Sequence, residues 1–120
     1  LCVSDGTTDG TKVIHEFQPG MASAEIRGLK ATDSHLLILA NGVDNGLDTG
    51  HCLWSLDVSN LEATIVYDPW VGTGNNSDAG FYGELFSSAE MVLFVADNGL
   101  NGHELHMWSP LSITDEWLIW

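Results

Sequence analysis

Two glycine-rich segments carry the oxygen-bearing side chains that a hard cation needs. One runs from Asn41 to Asp48 and the other from Asp97 to Asn101. Calcium takes about six to eight oxygen ligands, and glycine lets a loop wrap tightly around the ion. The spacing is not that of an EF-hand loop, and Asn and Asp also favour ordinary turns. Calcium is the candidate cofactor, and the candidate ligands are Asn41, Asp44, Asn45, Asp48, Asp97, Asn98 and Asn101.

The other reactive residue types form no recognisable site. His103 and His106 are three residues apart, which on a strand directs their side chains to opposite faces. No Cys or His pair has zinc-finger spacing. The sequence lacks a Gly-x-Ser-x-Gly elbow, a phosphate-binding loop and a His-Glu-x-x-His motif. Carboxylates are abundant, yet nothing selects the facing pair that a glycosidase needs. We therefore expect no catalytic residue and no enzymatic activity.

One sequon, Asn75-Asn76-Ser77, makes Asn75 the candidate glycosylation site. It lies in a polar stretch that we predict to be a loop, where such a site must lie to be modified. The alternatives are an ordinary turn or a host that does not use the sequon.

The charge balance limits the partners of the chain. Of its 120 residues, 17 are acidic and only three are Lys or Arg, which gives a formal net charge of −14. Nucleic acids and anionic membranes are disfavoured, because binding to both depends largely on basic residues. No apolar run approaches the ~18–20 residues of a membrane span. Divalent cations, carbohydrate and other proteins remain as partners. The chain starts with Leu1, so we expect a processed or partial protein.

An internal repeat of 52 residues organises the chain. Gly50-His51-Cys52-Leu53-Trp54 recurs as Gly102-His103-Glu104-Leu105-His106. With an offset of 56, the segment 36–41 matches the segment 92–97, and the insertions fall in Gly/Asn/Asp-rich stretches that loops tolerate. The predicted units are residues 1–52, residues 53–104 and, as the start of a third unit, residues 105–120.

Each complete unit is predicted to contain four short strands, because apolar runs alternate with turn clusters. In the first unit they lie near Lys12–Phe17, Glu25–Ala31, His35–Ala40 and His51–Asp57. In the second they lie near Thr64–Trp70, Phe81–Ser87, Met91–Ala96 and His103–Ser109. The predicted fold is all-β, built from tandem four-stranded antiparallel blades of a β-propeller-like repeat, about two and a third units in all.

Three segments resemble the ELW-x-x-DGT repeat family. They are the run from Leu1 to Thr11, the run Glu16-Phe17-Gln18-Pro19-Gly20, and the run from Phe94 to Leu105. The resemblance implies a large secreted surface protein with propeller blades of about this length, and no single activity.

The sequence departs from this family at two motif positions. The family's Trp after Leu is replaced by Cys2 and by His106 but kept as Trp54. Asp5-Gly6-Thr7 becomes Asp57-Val58-Ser59 and then Ser109-Pro110-Leu111. We therefore expect the later copies to have lost what the Asp-Gly turn provides.

Two further expectations follow from the repeat. Cys2 and Cys52 occupy nearly equivalent positions in successive units, which favours a disulfide worth ~3–4 kcal/mol, with buried free thiols as the alternative. The apolar strand Trp117-Leu118-Ile119-Trp120 begins a unit that does not finish. Such a strand needs cover from another copy of the chain or from the remainder of a longer parent chain. The assembly residues are Trp117, Leu118, Ile119 and Trp120.

These observations favour a non-enzymatic structural or assembly module of a secreted, extracellular repeat protein, such as a filament or surface-layer subunit. The alternative is a carbohydrate-binding or carbohydrate-active propeller domain of a larger secreted protein. A concave cluster of exposed tryptophans together with two carboxylates would favour the alternative, and an ordered sheet between subunits would favour the first reading.

Overall fold

The computed structural model describes residues 1–32, 35–72, 74–81, 85–88 and 91–109. In these residues the chain forms antiparallel β-strands and no helix, so the all-β prediction is confirmed for this part. The described residues contain no helix that is long and apolar enough to cross a membrane. The strands are β1 Cys2–Val3, β2 Lys12–Val13, β3 Gly28–Ala31, β4 His35–Asp44, β5 Leu47–Asp57, β6 Ala63–Tyr67, β7 Phe86–Ser88, β8 Met91–Asp97 and β9 His103–Trp108.

The strands form three sheets in chain order. The first sheet pairs β1 with β2, the central sheet has the order β3-β4-β5-β6, and the third sheet has the order β7-β8-β9. The central sheet extends from residue 28 to residue 67, and therefore takes strands from both of the first two predicted units. The described part of the chain shows no closed propeller, so the propeller-like arrangement stays a prediction.

The two longest strands, β4 and β5, form one hairpin with a two-residue turn. Asn45 and Gly46 have φ angles of 51° and 79°, and Asp44 pairs with Leu47 across the turn. Positive φ at both central residues is the type I′ turn, whose twist matches that of a hairpin. The segment predicted as a loop from Asn41 to Asp48 is therefore mostly strand.

The central sheet is buried on both faces, because its central strands are apolar at consecutive positions. One face packs against the third sheet in a core formed by Leu37, Leu39, Leu53, Ala79, Leu85, Val92, Phe94 and Ala96. The other face forms a second core, consisting of Phe17, Ile38, Ala40, Cys52, Trp54 and Leu56. The central sheet thus lies between two layers of the chain.

The second core is built around Phe17 and Trp54. Their ring centroids are 5.0 Å apart with an interplanar angle of 69°, an edge-to-face contact. Trp54 Nε1 donates a hydrogen bond to Ala40 O at 3.3 Å. Residue 42 must be glycine, because a Cβ there would clash with Trp54 Cζ2. Phe17, which is only 1% exposed, thereby anchors the irregular segment between β2 and β3.

Two turns that are 52 residues apart have the same hydrogen bonds. Asp5 Oδ1 accepts bonds from Thr7 N and Thr7 Oγ1, at 2.9 and 2.7 Å. Asp57 Oδ1 accepts bonds from Ser59 N and Ser59 Oγ, at 2.8 and 2.6 Å. The Asp57-Val58-Ser59 copy has therefore kept these side-chain hydrogen bonds, although Gly6 has a φ of 91° and the φ of Val58 is not positive. In the Ser109-Pro110-Leu111 copy, residues 110 and 111 lie outside the described residues. The hydroxyl at the third position makes these contacts, and serine supplies it as well as threonine does.

Candidate functional site

The first predicted calcium segment lies on the β4–β5 hairpin. Asn41 and Asp44 are in β4, Asn45 is in the turn and Asp48 is in β5. Asp48 Oδ1 accepts a hydrogen bond from Gly50 N at 3.0 Å, and Asp44 Oδ2 accepts one from Asn45 Nδ2 at 3.4 Å. These two carboxylate oxygens therefore already accept hydrogen bonds from groups of the same hairpin.

The second segment is the turn between β8 and β9. Asp97 Oδ1 accepts a bond from Gly99 N at 2.7 Å, and Asn98 Oδ1 accepts bonds from Leu100 N and Asn101 N at 2.9 and 3.0 Å. Among the described residues, no group of three or more His, Cys, Asp or Glu side chains is placed to hold a metal ion. Calcium binding at either segment stays a prediction.

The predicted disulfide is not formed in the structure, since both cysteines are free thiols. Cys2 is exposed on β1, whereas Cys52 is buried in the second core on β5. The Cys52 thiol donates to Thr49 Oγ1 at 3.6 Å. Burial raises the pKa of Cys52 to about 12. Although the repeat positions of the two cysteines are nearly equivalent, their thiols lie in different sheets, and one is exposed while the other is buried.

The sequon is held against the central sheet. Asn75 Nδ2 donates to Val71 O at 2.9 Å, and the buried Ser77 hydroxyl donates to His51 O. Asn76 Oδ1 accepts bonds from His51 N and Asp78 N, both at 2.9 Å. Use of Asn75 as a glycosylation site stays a prediction. The predicted assembly strand Trp117–Trp120 lies outside the described residues.

A network of ionic groups links this docked segment to the central sheet. Arg27 Nη1 lies 2.7 Å from Asp78 Oδ1, and Arg27 Nη2 lies 3.4 Å from Glu25 Oε2. The buried Nε2 atom of His51 lies 3.3 Å from Glu25 Oε2 but is not aligned for a hydrogen bond. No sequence pattern predicted this network. Arg27 was the available signal, because it is the only arginine in a chain with 17 acidic residues.

The outer face of the third sheet is apolar across all three strands. In the strand register Phe86 lies beside Leu93, Leu93 beside Met107, and Val95 beside Leu105. Partners in register share a face of the sheet. The exposed fractions of Phe86 and Leu105 are 62% and 66%. We call Phe86, Met91, Leu93, Val95, Leu105 and Met107 the outer face.

The outer face corresponds to a face that the central sheet buries. The offset of 56 maps Leu37 and Leu39 of β4 onto Leu93 and Val95 of β8. The offset of 52 maps Leu53 of β5 onto Leu105 of β9. Leu37, Leu39 and Leu53 are buried against the third sheet. In the predicted repeat, the outer face of the third sheet therefore corresponds to the face of the central sheet that packs against the third sheet.

In the described residues the chain is all-β, and its central and third antiparallel sheets pack face to face. No family model matches the sequence, and no curated protein or solved structure matches it.

Proposed function

We propose that this chain is a non-enzymatic structural module of an extracellular repeat protein, and that it assembles through the outer face of its third sheet. The partner in this proposal is a second copy of the chain. The observation that carries the proposal is the outer face itself, which is apolar on three adjacent strands and equivalent to a buried face of the central sheet. The resemblance to the ELW-x-x-DGT family supports the extracellular location.

The energetics favour covering this face. Burying a Leu or Phe side chain fully contributes about 1.5–3 kcal/mol. Because Phe86 is 62% exposed and Leu105 is 66% exposed, each would contribute about 1–2 kcal/mol on burial. A twofold contact uses both residues from each copy, which gives about 4–8 kcal/mol to set against the cost of association. Soluble monomers rarely expose contiguous apolar patches of this kind.

A second copy suits the composition of the face. All six outer-face residues are uncharged, so two copies can approach here despite a formal net charge of −14 each. Asp97 and His103 pair at the end of the same strands and place polar groups at the border of the patch. An apolar centre with a polar border is typical of protein interfaces. Two sheets meeting face to face pack about 10 Å apart.

The test is self-association of the full chain, measured by sedimentation equilibrium. Wild type should form dimers. Leu105→Lys should weaken dimerisation about 30-fold or more, because about 1–2 kcal/mol is lost from each of two copies. Since this substitution also makes each chain one charge unit less negative than −14, any weakening cannot come from added repulsion.

Leu100→Lys is the matched control. It makes the same chemical change at a residue that is 88% exposed in the β8–β9 turn and outside the outer face. This variant should dimerise like wild type. A monomeric wild type at high concentration, or equal association by both lysine variants, would refute the proposal. A monomer is also what we expect if the outer face is instead covered by the remainder of a longer chain. Species larger than a dimer would indicate a head-to-tail contact that extends into a filament.

A further inference from the structure

A cleft of about 350 Å³ opens between the central sheet and the end of β9. Six of its lining residues carry the chemistry, namely Ser55, Asp57, Asn60, Glu62, Thr64 and Trp108. They combine one indole with two carboxylates, one amide and two hydroxyls. We propose that this cleft is a binding site for a neutral sugar, a property separate from assembly through the outer face.

The fold creates the cleft at the end of a buried sheet face. Leu39 of β4 pairs with Leu53 of β5 within the core. Two positions further along, Leu37 of β4 pairs with Ser55 of β5, and Ser55 also pairs with Thr64 of β6. Because partners in register share a face, the core-facing surface changes from apolar to hydroxyl-bearing at this point. The hydroxyls therefore lie at the mouth of the interface between the two sheets.

Trp108 forms the aromatic part of the lining. It is the last residue of β9, pairs in register with Val92 and packs against the core shared by the central and third sheets. Its indole is half-buried, so part of it is held by packing while the rest lines the cleft. A pyranose ring has an apolar C–H face that packs on such an indole and hydroxyls that need polar partners.

The polar residues are held by their own turns before any ligand arrives. Asp57 uses Oδ1 for Ser59 N and Ser59 Oγ, and its second oxygen takes no part in that turn. Asn60 Oδ1 accepts a bond from Glu62 N at 2.9 Å, and Asn60 Nδ2 lies 3.4 Å from Glu62 Oε2. Groups ordered in advance lose less conformational entropy on binding.

The electrostatics select uncharged sugars. Asp57 and Glu62 place two carboxylates in the lining, and the chain as a whole has a formal net charge of −14. Among the described residues that line the cleft, His35 is the one basic side chain. It pairs with Asp57 in the strand register. A uronic acid would meet like charges, whereas neutral hydroxyls can donate to the carboxylates. The volume is near the lower end for ligand sites and suits about one or two pyranose rings.

The test is a titration of the ¹⁵N-labelled full chain by heteronuclear NMR. The probes are methyl β-glucoside, methyl β-galactoside and methyl N-acetyl-β-glucosaminide, with methyl β-glucuronide as the anionic comparison. At least one neutral probe should shift the Trp108 indole and the Glu62 and Thr64 amides saturably. The expected Kd is on the order of 1 mM, as suits a ligand of this size. The glucuronide should bind at least about tenfold more weakly.

Variants separate a site from general surface effects. Glu62→Gln removes one charge from an exposed residue of the cleft, and Trp108→Phe reduces the aromatic surface; both should weaken binding about fivefold or more. Glu104→Gln makes the same change as Glu62→Gln at an exposed residue of β9 outside the lining, and should bind like wild type. The proposal is overturned if no neutral probe gives a saturable shift at about 50 mM, well above the expected Kd. It is also overturned if the glucuronide binds as tightly, or if Glu62→Gln binds like wild type.

Discussion

Replacing Asn76 by alanine should detach the sequon segment from the central sheet. Asn76 Oδ1 accepts hydrogen bonds from His51 N and Asp78 N, both at 2.9 Å, and lies 3.2 Å from His51 Nδ1. One side-chain oxygen thus joins the start of the buried stretch of β5 to a segment 25 residues away.

The expected loss of stability depends on whether each N–H donor is buried or exposed. His51 is only 3% exposed, so its N–H would lose its partner without gaining water, at about 1–3 kcal/mol. The Asp78 N–H lies in an exposed turn, and its bond contributes about 0.5–1.5 kcal/mol. We therefore expect Asn76→Ala to lower the free energy of unfolding by about 2–4 kcal/mol.

Urea unfolding followed by tryptophan fluorescence measures this change, and Asn98→Ala is the matched control. Asn98 Oδ1 also accepts two backbone N–H bonds, but both lie in an exposed turn where water can replace it. Its loss should be about 0.5–1 kcal/mol. Equal losses in the two variants, or a loss below about 1 kcal/mol for Asn76→Ala, would show that burial of the His51 N–H does not matter.

Three further predictions concern single residues. Gly50→Ala should cost at least about 1 kcal/mol more in urea unfolding than Gly46→Ala. Both glycines have positive φ, but only a Cβ at residue 50 would meet backbone, 2.6 Å from Asn75 O, and equal losses would contradict this close approach. At about pH 8 a thiol reagent should modify the exposed Cys2 in the folded protein and Cys52 only after unfolding, because Cys52 is buried and burial raises the pKa of its thiol to about 12. Similar modification rates for the two thiols in the folded protein would contradict this. The hydrogen bonds from the Ser59 hydroxyl and N–H lower the pKa of Asp57, so the stability they contribute is present above the unfolded carboxyl pKa of about 3.9 and is lost as pH falls through the lower folded value. The stability advantage of wild type over Asp57→Asn should therefore shrink between about pH 5 and pH 3, and an advantage that is constant with pH would refute the linkage.

The strands with continuous apolar runs could be predicted closely from the sequence. The predicted Met91–Ala96 is β8, Met91–Asp97, and the predicted His103–Ser109 is β9, His103–Trp108. Their boundaries are sharp because the Gly-rich turn between them ends both runs. Apolar composition and turn residues are local signals, so a sequence alone carries them.

Strands next to irregular backbone were predicted too long. The predicted Glu25–Ala31 begins only at Gly28, and Glu25 itself has a φ of 42°, which no regular strand accommodates. The predicted Lys12–Phe17 ends at Val13, because Phe17 turns into the core against Trp54 instead of continuing the ladder. Such contacts depend on residues far away in the chain.

The Asn41–Asp48 prediction failed as a loop because two local signals compete there. Oxygen-rich residues around glycine indicate a cation loop, but Asn45-Gly46 is also the strongest signal for a two-residue hairpin. Apolar residues on both sides of the turn let β4 and β5 pair along their full length. The contacts of Asn76 with His51 and of Arg27 with Asp78 join residues 25 and 51 positions apart, beyond any local pattern.

The apolar runs also explain why the third sheet should need a packing layer on its outer face. A strand that is apolar at consecutive positions has no solvent face, and is suited to a sheet covered on both sides. In β4 the run Leu36–Ala40 meets that condition, because Leu37 and Leu39 enter one core while Ile38 and Ala40 enter the other. In β8 the run Met91–Ala96 is equally apolar, and Val92, Phe94 and Ala96 are buried against the central sheet. Leu93 and Val95 lie on the outer face, where neighbouring strands place exposed Phe86 and Leu105. The same sequence pattern that gives β4 two cores therefore predicts a second packing layer on β8.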